Sequence, residues 1–579
     1  MEMNEILDRL PRHLLSLVID QPYASYTAQD HAVWRYVMRQ NVRYLPGIAH
    51  SSYLHGLKRT GISIDRIPHM YGMNRILREI GWAAVAVDGF IPPSAFMEFQ
   101  AYNVLVIAAD IRPINQIGYT PAPDIIHEAA GHAPIIADPV YSDYLQKFGA
   151  VGAKAFSSPY DKQLYNAIRH LSILKADPYT PAGIIRKAEE ELNILSGLAG
   201  NPSELSLIRN LHWWTVEYGL IGTIDKPRIY GAGLLSSIAE SYHCMQPVVK
   251  KILFSPDAVN YAFDITEPQP QLFITPDFET LLNVLDEITN TMAIRKGGLE
   301  AVKKAIHSEN TATCVYSSGL QVSGTFTGIM ECNGEPAYIR TTGPTSLAFN
   351  NKELTGHGKI YHAAGFGSPV GRLKQIPVPL EDFSDEELGQ IGLVTGEKVE
   401  LEFESGLRLR GVLEQKRLEN GKIILLTFSG CTIELQGNVL FSPEWGTYDM
   451  AVGRNIISAF TGPADPDAFG LSYPVPAEKT HKIEHSGKAL ELHSLYRETR
   501  DIREGTIPPT DLPALWDRLK KKFPEDWLCA MEILELLSPK RDNKGIIHEI
   551  MAHLNERKAE SPEVRKLIED GMGMTEVKY

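Results

Sequence analysis

His127 and His132 stand five residues apart, with Glu128 beside the first and Gly131 just before the second, in Tyr119-Thr-Pro-Ala-Pro-Asp-Ile-Ile-His127-Glu-Ala-Ala-Gly131-His132. Imidazoles with a neighbouring carboxylate invite a divalent metal ion. The interval differs from the HExxH helix of zinc proteases, whose four-residue spacing puts both rings on one face. On an ideal α-helix five residues leave two side chains about 140° apart around the axis. Gly131 is therefore expected to end or bend the helix if both rings are to meet one ion. The competing reading is a pair of core or surface histidines with no ion.

Two neutral imidazoles need a further ligand, and with no thiolate nearby a carboxylate is the natural supplement. Glu217 sits in Asn210-Leu-His-Trp-Trp-Thr-Val-Glu217-Tyr-Gly-Leu220, an aromatic, apolar run. A lone carboxylate there carries a desolvation cost unless something positive holds it. Either a metal does so, or Glu217 points to solvent from an amphipathic helix.

Three blocks in order, Thr120-Pro-Ala-Pro-Asp-Ile-Ile-His127-Glu-Ala-Ala-Gly-His132-Ala-Pro134, Trp213-Trp-Thr-Val-Glu217-Tyr-Gly219 and Tyr230-Gly-Ala-Gly-Leu-Leu-Ser-Ser237-Ile-Ala-Glu240, resemble the catalytic core of the pterin-dependent aromatic amino acid hydroxylases. The resemblance spans about Ala83 to Cys244 and thins toward residues 30 and 295. It implies that His127, His132 and Glu217 are the iron ligands, a facial triad that leaves one side of Fe(2+) open. Asp124 and Ser236 match positions that orient the first imidazole, and Asp124 serves equally well as a helix N-cap.

The resemblance also implies that Arg112 grips the substrate carboxylate, for which a bidentate guanidinium is suited. Thr120, Pro121 and Ser236 belong to the same substrate end, and Trp213 matches the aromatic wall beside the substrate ring. Phe96, Ile91 and Glu128 fall on the tetrahydrobiopterin side, where flat stacking and a few polar contacts hold a tetrahydropterin. The implied reaction uses dioxygen to hydroxylate an aromatic amino acid, phenylalanine to tyrosine as first choice. Tryptophan or tyrosine hydroxylation, a zinc hydrolase with Glu128 as base, and an inactive hydroxylase-like binding protein are the alternatives. Pro92 and Pro93 stand where the family usually has serines, His212 where it commonly has tyrosine, and the stretch from Gly149 to Trp213 is longer than the family core. A helix from Thr180-Pro181 to Gly197 marks that extra length. Gly231-Ala-Gly233 lacks the third glycine and the βαβ setting of a dinucleotide fingerprint.

These residues need a scaffold, and the 579-residue chain divides by pattern. Helical periodicity dominates to about residue 305, for instance over Asp30 to Asn41 and Met73 to Ile80. Short alternating runs follow, such as Val399 to Phe403 and Ile423 to Phe428, with Asn420-Gly421 as a hairpin turn. Helical patterns return over Asp511 to Phe523 and Gly545 to Arg557. The expected fold is multidomain α+β: a mainly α-helical hydroxylase-like catalytic domain at 1–305, a duplicated β-rich domain at 306–478, and a helical C-terminal segment at 479–579. The duplication rests on Ser318-Gly-Leu-Gln-Val-Ser-Gly324 against Ser405-Gly-Leu-Arg-Leu-Arg-Gly411, with Asn333-Gly334 against Asn420-Gly421 at the same offset, giving copies at about 311–392 and 398–478. Neither copy shows an evident constellation of ionisable groups, so a structural or partner-binding role is expected.

Composition narrows the class further. With 57 Lys+Arg against 71 Asp+Glu the formal charge is −14, which disfavours nucleic acid as a partner. Five dispersed cysteines without a CxxC pair argue against a disulfide framework or cysteine-built zinc site. No apolar run is long enough for a membrane span, and Met1 to Pro11 lacks the basic end and apolar stretch of a secretory signal. A cytoplasmic protein without membrane attachment is expected, with a homo-oligomer left open.

Overall fold

The computed structural model describes residues 4–89, 91–118, 124–176, 180–198, 200–263, 268–473, 485–537 and 544–575. Thr120 and Pro121 lie outside the described residues. The N-terminal half is mainly helical, with two small sheets. One orders Val18–Ile19, Ala83–Val87 and Val104–Ala108, the last two running parallel. Both parallel strands are buried along their whole length, as expected for continuous apolar runs covered on two faces. The other orders Lys226–Ile229, Leu220–Thr223, Gln271–Thr275 and Lys250–Leu253.

The helix Ala28–Tyr44 starts at a reciprocal cap: Thr27 Oγ1 accepts from Asp30 N at 3.1 Å, and Asp30 Oδ2 accepts from Thr27 N at 2.7 Å. Every residue from His31 to Asn41 is buried, including Arg35 and Arg39. An amphipathic surface helix would leave one stripe wet. This one does not, because the C-terminal helices Gly487–Arg503, Trp527–Leu537 and Pro562–Thr575 pack on it. Arg35 donates to Glu532 at 2.8 Å and to Glu535 at 2.6 Å, Arg39 to Glu535 at 2.6 Å, and Tyr36 Oη to Leu567 O at 2.6 Å. The C-terminal helices thus share one apolar core with the N-terminal half.

Between these halves lie two antiparallel sheets. The first runs Lys352–Glu353, Glu335–Phe349, Leu320–Cys332, Thr311–Tyr316 and Ile456–Thr461, with Gly367–Pro369 also on Glu335–Phe349. The second runs Lys398–Glu402, Arg408–Glu419, Lys422–Leu435 and Asn438–Phe441, with Tyr448–Ala451 also on Lys422–Leu435. Each sheet is centred on a long hairpin turning at Asn-Gly: Asn333 and Gly334 have φ of 53° and 81°, Asn420 and Gly421 of 52° and 78°. Both central residues of such a tight turn need positive φ, hence this dipeptide. Ile456–Thr461 follows the second sheet in sequence but pairs in the first, so the two sheets are interleaved.

Buried Glu204 joins the N-terminal half to the helix leading into the sheets. It accepts from Phe156 N at 3.2 Å, Ala293 N at 2.8 Å and Lys304 Nζ at 2.7 Å. The helix expected from Thr180 begins at Ala182 with Pro181 at the cap position, and no side chain caps it. Among the described residues no helix is long and apolar enough to cross a membrane.

Candidate metal centre and adjoining cavity

His127 and His132 share one π-helical stretch, Ile126–His132, which runs straight into the helix Ala133–Ile136. The expectation that Gly131 ends or bends a helix is thereby corrected. Widening to the i→i+5 hydrogen-bond pattern brings residues five apart toward one face, and such turns concentrate at functional sites. Gly131 serves instead for close packing. A Cβ there would stand 2.6 Å from Ala232 O, so only glycine lets this stretch lie against the helix Ala232–Ser236.

Glu217 also closes a π-helical stretch, Trp213–Glu217, where Tyr218 N donates to Trp213 O at 2.8 Å. Its carboxylate faces both rings. His127 Nε2 lies 3.2 Å from Glu217 Oε2, His132 Nε2 lies 3.3 Å from Glu217 Oε1, and the two Nε2 atoms are 3.2 Å apart. Burial opposes charge on Glu217, yet the two imidazoles hold it well below the usual carboxylate range. Burial likewise disfavours imidazolium at His127, but Glu217 lifts that ring to about 9.

Supporting contacts differ from residue to residue. His127 Nδ1 lies 3.0 Å from Ser236 Oγ, which fixes the ring with Nε2 toward the other two groups. Asp124 does not touch the imidazole. Its Oδ1 accepts from His127 N at 2.9 Å, an N-cap-like bond, and from Arg112 Nη2 at 2.8 Å, while Oδ2 accepts from Arg112 Nε at 2.8 Å and Arg112 N at 3.0 Å. Burial works against ionised Asp124, but Arg112 and these bonds carry its carboxyl below the ordinary value. The bidentate face expected to hold substrate is thus already given to Asp124. Arg112 Nη1 also donates to Ser236 O at 3.2 Å and Ile117 O at 3.5 Å, so one of five N–H donors is left.

Trp213 stacks on Phe263 at 4.3 Å and 9°, and on Tyr218 at 4.6 Å and 23°. Two near-parallel aromatic neighbours thus fix the plane of its indole. On the other side Phe96, Ile91, Gly89, Glu128, Arg209 and His212 line a cavity of about 220 Å³. Among the described residues neither buried Glu128 Oε2 nor His212 Nε2 has a hydrogen-bond partner there, though Glu128 Oε2 stands 3.7 Å from His132 Nε2. Burial raises the Glu128 carboxyl and lowers the His212 ring to about 4. His212 Nδ1 is 3.8 Å from Glu217 Oε1, and its ring meets Phe96 edge-on at 5.8 Å. Gly231, which opened the doubtful GxG, lies where a Cβ would come within 2.4 Å of Glu217 O. Its role is close packing behind the ligand.

Sequence reasoning missed a second cluster. His357, His362 and Asp449 bring three donor atoms within 4.8 Å of one another in the β-rich region, contrary to the expectation that it carries no constellation. The signal was available as another five-residue histidine interval, but its carboxylate lies on a distant strand.

Residues 19–164 and 189–297 match the family described as biopterin-dependent aromatic amino acid hydroxylase. The match takes in under half of the chain and skips 165–188, within the two helices Pro159–Ala176 and Ala182–Gly197. Among relatives, phenylalanine-4-hydroxylase of Chromobacterium violaceum is 32% identical over 228 residues, covering 39% of this chain and 62% of that protein. Just under two thirds of that relative's length is therefore spanned. Phenylalanine-4-hydroxylase of Pseudomonas aeruginosa is 26% identical over 291 residues, 50% of this chain and 92% of that protein. The crystal structure of the Chromobacterium violaceum enzyme with bound iron(III) and 7,8-dihydrobiopterin aligns at 26% identity and a TM-score of 0.39, covering 50% of this chain and 92% of that one.

Proposed function

We propose that this protein is an iron- and tetrahydropterin-dependent monooxygenase that converts phenylalanine to tyrosine in the cytoplasm. The observation that carries the reading is the triangle of His127, His132 and Glu217 atoms, with edges of 3.2, 3.2 and 3.3 Å. Ligand atoms about 2.1 Å from one ion and at right angles to each other stand about 3 Å apart, so the donor set fits a divalent metal with little movement. The Glu128 and His212 atoms that have no hydrogen-bond partner among the described residues, beside an apolar, ring-lined cavity, suit a flat polar heterocycle such as a tetrahydropterin.

Held by His127, His132 and Glu217, a ferrous ion would, with a reduced pterin, supply the activation of dioxygen. The chain supplies placement. Ser236 keeps the His127 ring turned toward the ion, and Asp124 secures both His127 N and Arg112. Arg112 offers its remaining N–H to the amino acid carboxylate. Trp213, held by Phe263 and Tyr218, stands beside the substrate ring, while Phe96 and Ile91 contribute apolar contact to the pterin. Burial around His132, Glu217 and Trp214 limits water at the reacting side.

Residues 1–305 are read as the catalytic domain, 306–478 as a duplicated β unit of structural or partner-binding role, and 479–579 as a helical buttress. The matching Asn-Gly hairpins support the duplication. The test is product analysis: the full chain, loaded with Fe(2+) and given tetrahydrobiopterin and air, is incubated separately with phenylalanine, tyrosine and tryptophan. Tyrosine from phenylalanine is expected. Product only from another amino acid moves the substrate assignment, and no product from any of them removes the hydroxylase reading.

A further inference from the structure

His357 and His362 lie between the strands Lys352–Glu353 and Gly367–Pro369, and Asp449 on Tyr448–Ala451. His357 Nδ1 is 3.3 Å from His362 Nε2 and 3.9 Å from Asp449 Oδ2. The backbone fixes both histidines. His357 N donates to Leu354 O at 2.9 Å, and His357 O accepts from Leu347 N at 2.9 Å; His362 N donates to Gly358 O at 3.2 Å, and His362 O accepts from Thr345 N at 3.1 Å.

Asp449 is 5% exposed, and Thr427 Oγ1 donates to its Oδ1 at 2.6 Å, which leaves Oδ2 toward the histidines. Among the described residues no lysine or arginine forms an ion pair with it. A buried carboxylate without a cation carries a desolvation cost. Arg417, whose charge reaches His357, donates instead to Thr355 O at 3.3 Å and pairs with Glu419 at 3.4 Å. Burial disfavours charge on both rings. Tyr361 adds a phenol hydrogen-bonded to Asp449, with its ring 5.4 and 4.8 Å from the two imidazoles.

We propose that His357, His362 and Asp449 bind a zinc-class divalent cation that clamps residues 354–366 onto the strands Glu335–Phe349 and Tyr448–Ala451. Two imidazoles and one carboxylate are a borderline donor set suited to zinc. The 3.3 Å histidine separation matches ligands about 2.0–2.1 Å from a tetrahedral ion, and the carboxylate, 3.9 Å from His357 and within 4.8 Å of both rings, has to move inward to complete the set. The site uses none of the residues assigned to the reaction and does not rest on that assignment.

Zinc is counted per full-length chain after equilibration with zinc chloride and desalting, in a His132→Ala/Glu217→Ala background that silences the first centre. One equivalent is expected in the background and none after adding His357→Ala and His362→Ala. Zinc should raise the melting temperature of the background protein but not of that combined variant. If the histidine substitutions prevent folding, Asp449→Asn and the milder His357→Gln are read the same way. A folded background protein that binds no zinc overturns the proposal, as does zinc retained after both histidines are replaced.

Discussion

Ser236 Oγ lies 3.0 Å from His127 Nδ1, a contact across 109 positions of sequence. It decides which nitrogen of His127 faces Glu217 and His132. Loss of such a supporting partner typically lowers metal affinity by about 10–100-fold. Ser236→Ala is expected to weaken iron binding by that factor in a competition titration with a chelator, while Ser236→Thr recovers most of it. Unchanged affinity in Ser236→Ala would remove its positioning role.

Gly131→Ala places a methyl group 2.6 Å from Ala232 O. Backbone does not yield as a flexible side chain does, and overpacking of this kind costs about 1–3 kcal/mol. The same push moves the helix bearing Ser236 away from His127. Denaturant unfolding is expected to show the loss, with weaker iron binding in the folded fraction.

The Arg35 and Arg39 cluster makes the C-terminal helices part of the N-terminal fold. Removing one carboxylate from a buried ion network leaves an uncompensated charge, at about 3–5 kcal/mol. Glu532→Ala is expected to show a loss of that size by chemical unfolding. A chain truncated near residue 305 exposes Arg35, Arg39 and their apolar neighbours, and is expected to be insoluble.

Asp526 gives a pH signature. It is buried, accepts from Tyr496 Oη at 2.7 Å and from Cys529 N at 2.8 Å, and burial lifts its carboxyl from 3.8 to about 6. The folded protein therefore holds a proton that the unfolded chain has released between about pH 4 and 6. Stability from this group is present at low pH and declines as pH rises through that window. Relative to Asp526→Asn, the wild-type chain should lose a few kcal/mol from pH 4 to 6 in parallel unfolding curves.

Spacing and residue type carry far in this sequence, but only where the determinants are local. The Asn-Gly turns, the Thr27-Asp30 cap and the blocks around His127, Glu217 and Ser236 are written in neighbouring residues. Helical winding is not legible there: a five-residue interval fails on an α-helix, and the π-helical stretch Ile126–His132 resolves it. Nor is Arg112's commitment to Asp124, because a guanidinium's partner depends on tertiary placement. Helix Ala28–Tyr44 carries Arg35 and Arg39, and their burial depends on the distant glutamates Glu532 and Glu535. His357 and His362 escape notice for the same reason, their carboxylate arriving from a strand far along the chain.

The most direct test of the iron centre measures iron content and tyrosine formation on the same preparations of the full chain and of Glu217→Ala. The wild-type protein should hold iron and turn over phenylalanine; the variant should lose one equivalent of iron and all detectable tyrosine formation together. A Glu217→Ala protein with full iron and an undiminished rate would contradict a centre built from His127, His132 and Glu217.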